Sequence, residues 1–110
     1  MSAPRFASFA EFWPYYLGEH RRPVTRALHF VGTALLASAV VAAAVTMRPL
    51  FALAGVVGVY ACAWPGHFFI EKNRPATFTY PLWSVRGDFK MFGLFVAGRL
   101  GAELAKLPSA

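Results

Sequence analysis

The chain has 110 residues, of which 57% are hydrophobic and 15% charged, with a formal net charge of +6 and positive mean hydropathy. That length accommodates one domain, and so apolar a composition is hard for a small soluble domain to tolerate, a hairpin buried in a soluble bundle being the alternative to a membrane protein; the cations are also too scattered for a nucleic-acid arm. The single cysteine, Cys62, excludes an intrachain disulfide and a cysteine-based zinc site.

From the N-terminus, Arg5 is followed by an aromatic, interrupted stretch that does not read as a signal peptide. Ser8 and Glu11 stand at capping-box spacing, and Phe9, Phe12, Trp13, Tyr16 and Leu17 recur at helical intervals. Trp and Tyr favour the headgroup layer, so residues 8–18 are expected to form a short interfacial helix, kinked at Pro14 and ending near Gly18. Pro23 suits the first turn of the next helix. Two apolar runs follow, Ala27 to Met47 and Leu50 to Ile70, each of 21 residues without Lys, Arg, Asp or Glu. Each matches the roughly 20 residues needed to cross about 30 Å of hydrocarbon. Only Arg48 and Pro49 separate them, which predicts a tight hairpin with spans at 24–47 and 50–72. Gly32, Ala39 and Ala43 on one span, and Gly58, Cys62 and Gly66 on the other, either allow close packing or merely reflect how common Ala and Gly are in these runs. Pro75 and Pro81 break the next stretch, and a last helix is expected over 84–107. Its apolar centre, Met91 to Gly98, is too short to span alone, so it lies on the membrane or tucks a polar face against the hairpin. The expected fold is all-α: one membrane domain over 1–110, an integral helical hairpin with flanking interfacial or packed helices.

Arg21, Arg22 and Arg26 precede the hairpin, while Lys72, Arg74, Arg86 and Lys90 follow it; the turn offers Arg48 alone. The positive-inside rule therefore puts both termini in the cytoplasm.

The three histidines, His20, His29 and His67, come to one level. His29 lies 19 residues before Arg48 and His67 lies 18 after Pro49. At about 1.5 Å per residue both stand about 27–28 Å from the turn. Gly18 and Pro23 argue for a chain break that lets His20 fold back over the hairpin mouth. Glu71 follows His67 by four residues, on the same face of an α-helix. A lone histidine near a helix end is usually an interfacial polar residue, but three at one level are a candidate metal site. Neutral imidazole suits Fe, Zn, Cu and Ni, and a set of histidines with a carboxylate and open positions suits non-haem Fe(II). Glu71 is a further ligand, or the group that orients one, or a surface ion-pair partner.

The segments YLGEHRRPVTRALHFVGT and GHFFIEKNRPATF carry a resemblance. They resemble the small membrane proteins related to the yeast 2-hydroxy-palmitic acid dioxygenase, formerly a family of unknown function, over about residues 12 to 93. The resemblance implies an all-helical integral membrane protein that uses Fe(II) and O2, with zinc less expected. The reaction it implies is α-oxidation, in which a 2-hydroxy fatty acid or acyl lipid is shortened by one carbon. His20, His29 and His67 match the family's metal-binding histidines. Arg22 and Thr25 depart from the pattern, which often has asparagine there, and this bears on the substrate. YPLWSVRGDFKMF is similar to a bacterial branch, which implies the inner (cytoplasmic) membrane.

Arg74 is either an ordinary positive-inside charge or the group that pairs with a substrate carboxylate, and Asn73 either caps the helix end or bonds substrate. Membrane lipid is an expected partner, nucleic acid is not, and a homo-oligomer is left open. Two other readings stand beside the dioxygenase: a non-enzymatic membrane module that binds lipid or a partner through its basic face, and a metal-dependent lipid hydrolase, since histidines also suit zinc. A serine hydrolase is not expected, because no G-x-S-x-G elbow is present.

Overall fold

The computed structural model describes residues 5–107, and all regular structure among them is helical. Helix α1, Phe9–Gly18, starts at an extended Ser8 whose Oγ accepts a hydrogen bond from the Glu11 backbone N–H at 3.3 Å. It runs through Pro14 without ending there. Helix α2, Pro23–Thr46, has Pro23 in its first turn, where the missing N–H has no intrahelical acceptor to lose. It closes on Met47, which takes the left-handed conformation (φ 58°). Arg48 and Pro49 turn the chain into α3, Leu50–Pro65, which continues as a π-helical turn over Gly66–Glu71.

Helix α2, and α3 together with its π-helical continuation (Leu50–Glu71), are long and apolar enough to cross a membrane. Their most apolar windows are only 22% and 28% buried, whereas the core helix of a soluble protein is mostly covered. Val45 and Leu50, at 78% and 75% exposure, show how far the apolar surface extends towards the turn. Close approach of the two helices depends on small residues. A Cβ on Gly32 would meet the Val59 backbone at 3.0 Å, and one on Gly55 would stand 2.5 Å from the Ala39 Cβ. Gly55, not the expected Gly58, is the close-contact glycine in mid-span; Gly58 has only the Leu35 Cδ1 nearby, at 3.9 Å. Spacing alone does not fix which stripe of small residues faces the partner helix.

Beyond the hairpin come a 3-10 turn, Ala76–Phe78, then α4, Pro81–Val96, and α5, Leu100–Ala105. The helix expected over 84–107 is thus two helices. It begins earlier because Pro81 occupies its first turn, and it breaks where Gly98 takes φ +72°, a conformation open to glycine at little cost.

Helix α1 turns its aromatic face into the protein. Phe9, Phe12, Trp13, Tyr16 and Leu17 are buried, in one core with Ala76, Met91 and Leu100. Arg86 and Lys90 of α4 stand over the Phe9 and Trp13 rings at 4.1 and 4.4 Å, adding cation–π attraction. Helix α4 in turn buries Ser84, Gly87, Asp88 and Met91, so it packs with a polar face inward. A cap of α1 and α4 therefore sits across the open end of the hairpin.

Candidate metal centre

Each histidine comes from a different element. His20 lies in the turn between α1 and α2, which Arg26 braces by donating from Nη1 to the His20 carbonyl at 2.9 Å and the Arg21 carbonyl at 2.7 Å. His29 is in the second turn of α2, and His67 is in the π-turn that ends α3. The three rings meet inside the protein at 1%, 4% and 2% exposure. The His29 Nε2 stands 3.0 Å from the His20 Nε2 and 3.1 Å from the His67 Nε2.

These short contacts are not a hydrogen-bond chain between neutral rings, because the opposite ring nitrogens all face acceptors. The His20 Nδ1 lies 2.6 Å from the Tyr16 carbonyl oxygen, so it carries the proton and donates. The His29 Nδ1 lies 3.2 Å from Oδ1 of the Asp88 carboxylate and also donates. The His67 Nδ1 lies 2.7 Å from the Asn73 Oδ1. That amide is oriented by its other end: Nδ2 donates to the Glu19 carbonyl and the Glu19 Oε2, each at 3.0 Å, so its oxygen must face His67. All three Nε2 atoms are then left with lone pairs aimed at one another. Such convergence is repulsive unless a cation sits among them.

The set fits a metal in further respects. The three ligand atoms all lie within 4.8 Å of one another. Two nitrogens each about 2.1 Å from one ion, at a right angle, stand roughly 3.0 Å apart, which matches the two close spacings. Burial first, then repulsion from His29 and His67, hold the His20 pKa well below the ordinary histidine value, so that ring is kept as the neutral ligand form. Fixing a ligating histidine through its other nitrogen is the usual way its tautomer and aim are set.

Of the other expected site residues, Glu71 does not join the cluster. Its Oε2 accepts from the Arg22 backbone N–H at 2.7 Å, tying the end of α3 to the start of α2. The shared face with His67 presumed an α-helix; the π-turn widens the register there to i→i+5. Asn73 is neither a simple cap nor free for substrate, since both ends of its amide are engaged. Arg74 is exposed and lies over the Phe78 ring at 5.0 Å. Sequence reasoning missed Asp88, Tyr16 and Glu19. Tyr16 precedes His20 by four residues, a helical spacing that could have linked them. Asp88 is 59 residues from His29, and nothing local connects the two.

Four buried side-chain atoms lack a hydrogen-bond partner among the described residues: Thr25 Oγ1, Thr33 Oγ1, Ser84 Oγ and Trp64 Nε1. Thr25 and Thr33 flank His29 at one turn on either side of α2, and Ser84 precedes Asp88 by one turn of α4.

Comparison with known families matches the chain to the Mpo1-like family, described as 2-hydroxy-palmitic acid dioxygenase Mpo1-like, over residues 6–100. No curated protein and no solved structure matches the chain. The chain belongs to the Mpo1-like family, as the two histidine-bearing blocks lead one to expect.

Proposed function

We propose that the protein is an Fe(II)-dependent dioxygenase that shortens 2-hydroxy fatty acids by one carbon at the membrane surface. The observation that carries the reading is the convergence of three Nε2 lone pairs, each backed by an acceptor on the opposite nitrogen. His20, His29 and His67 would hold the iron, and three histidines leave coordination positions free. Bound Fe(II) supplies one-electron chemistry with O2 and a Lewis-acidic anchor for the two adjacent oxygens of a 2-hydroxy acid.

The remaining steps belong to the chain's own residues. Tyr16, Asp88 and Asn73 hold the imidazole protons on Nδ1, so the ligand atoms stay available. The unpartnered hydroxyls of Thr25 and Thr33 offer hydrogen bonds to substrate oxygens or water beside His29. An apolar groove of about 570 Å³ on the outer face of α3, lined by Val57, Tyr60, Trp64, Phe68 and Phe69, is suited to an acyl tail. Its lining extends to Phe68 and Phe69, which follow His67 in the chain. Arg74, one residue past Asn73, is the cation proposed to meet the carboxylate. The Lys and Arg imbalance across the hairpin supports cytoplasmic termini, and the likeness of YPLWSVRGDFKMF to a bacterial branch supports an inner-membrane location.

The test uses purified protein in detergent, loaded with Fe(II) and supplied with O2 and 2-hydroxy-palmitic acid. Mass spectrometry should find the acid one carbon shorter, and unsubstituted palmitic acid should be a poor substrate. Folded, iron-loaded protein that consumes no oxygen with 2-hydroxy acids of several chain lengths would reject the activity. Protein that binds no metal would favour a lipid-binding module.

A further inference from the structure

The three histidines differ in what stands behind them. His20 has a backbone carbonyl, His67 an amide oxygen and His29 a carboxylate. Asp88 is 4% exposed, and its Oδ1 serves two donors: the His29 Nδ1–H at 3.2 Å and the hydroxyl of Tyr16. The geometry is built for this. Gly87 has no Cβ to hold α1 away, and a Cβ there would meet the Tyr16 ring carbons at 3.0 Å. The close approach brings the Tyr16 hydroxyl and the Asp88 carboxylate together between α1, α2 and α4. Tyr16 is the donor, because its hydroxyl carries a proton and the Asp88 carboxylate oxygen can only accept.

We propose that Asp88 and Tyr16 are paired positioning residues that act on the bound metal in opposite directions through His29. This rests on the reading that the three histidines hold a metal. The carboxylate makes His29 the most electron-rich of the three ligands, since a negative acceptor draws the Nδ1 proton and gives the ring imidazolate character. The Tyr16 hydroxyl shares the same oxygen and withdraws part of that charge. His29 also sits between the other two rings, close to both, so its donor strength bears on the whole site.

The test measures Fe(II) affinity and the Fe(III)/Fe(II) midpoint potential of the full chain in detergent micelles. Asp88→Asn keeps the size and an Oδ1 that can accept from both donors, and removes the charge while turning Oδ2 into an NH2 donor. It should weaken Fe(II) binding roughly 10–100-fold and raise the potential. Tyr16→Phe removes the competing donor and leaves the carboxylate wholly to His29. It should lower the potential without weakening binding. Glu11→Gln, which removes an exposed carboxylate on α1, should change neither. A residue that only held the fold would not give shifts of opposite sign. If Asp88→Asn loses its helical circular dichroism, the sign for Tyr16→Phe decides alone. Two potentials that move the same way, or do not move, overturn the pairing. Wild-type protein that binds Fe(II) while Asp88→Asn matches it in both readouts overturns this inference and leaves the proposed function standing. Wild-type protein that binds no Fe(II) overturns both.

Discussion

Replacing Gly55 by alanine should loosen the hairpin. The new Cβ would stand 2.5 Å from the Ala39 Cβ, 3.3 Å from the Leu36 Cα and 3.4 Å from the Leu36 Cδ1. Carbon atoms in contact settle at about 3.5–4.0 Å, so α2 and α3 must separate by roughly 1 Å at this level. Little can yield locally: Ala39 has no rotamer to change, and the Leu36 Cα is backbone. Overpacking of this kind costs about 1–3 kcal/mol. No water is expelled when helices pair in lipid, so close packing carries more of the association there. Gly55 precedes His67 by 12 residues, roughly 18 Å along the helix, so the loss should appear in stability more than in metal affinity. Reversible unfolding in SDS–detergent mixtures measures it. Gly58→Ala is the matched control, since only the Leu35 Cδ1 is near, at 3.9 Å, and it should be neutral or stabilising by up to about 1 kcal/mol. Adding Ala39→Gly to Gly55→Ala removes the opposing Cβ. Although a helix glycine has its own penalty of about 1 kcal/mol, the double-mutant cycle should show favourable coupling of at least about 1 kcal/mol. Wild-type stability in Gly55→Ala, or zero coupling, would mean the helices do not meet through this pair.

His20→Ala, His29→Ala and His67→Ala should each lose most bound metal while still inserting, as read by elemental analysis of the membrane-extracted protein. Glu71→Gln should keep its metal, because its carboxylate meets the Arg22 N–H rather than the cluster and a Gln oxygen can still accept that bond; the same analysis checks it. Metal-free protein should lose stability as pH falls below about 6.5. The sign follows from His20: its folded pKa is depressed, so the unfolded chain binds the proton first and the stabilisation present above the unfolded value is lost on acidification. Denaturant titrations between pH 8 and 5 would show it, with a slope of at most about 1.4 kcal/mol per pH unit from this one group.

The hairpin and the level of its histidines were legible in the sequence. Two long apolar runs joined by Arg48-Pro49 fix how far each residue stands from the turn, because depth is a sum of equal rises along one axis. His29 and His67 are nearly equidistant from that turn, and they meet. The chain break between Gly18 and Pro23 correctly indicated that His20 could reach them. Rotation about the axis was not legible in the same way. It depends on which stripe each helix turns to its neighbour, and packing between distant segments decides that. Gly55 rather than Gly58 took the mid-span contact for this reason. The aromatic face of helix α1 is buried in a core with residues of α4 and α5, partners that lie beyond the hairpin in the chain and that no local pattern identifies. A single π-turn changed the register on which Glu71 had been grouped with His67. Asp88 is the clearest case. Read along the sequence it is a flanking charge; only tertiary packing, through the gap that Gly87 leaves for Tyr16, brings it behind His29. The level of the three histidines could be read from spacing along the chain, but the carboxylate behind His29 and the hydroxyl that shares it meet through contacts 59 and 72 residues apart, which no local pattern encodes.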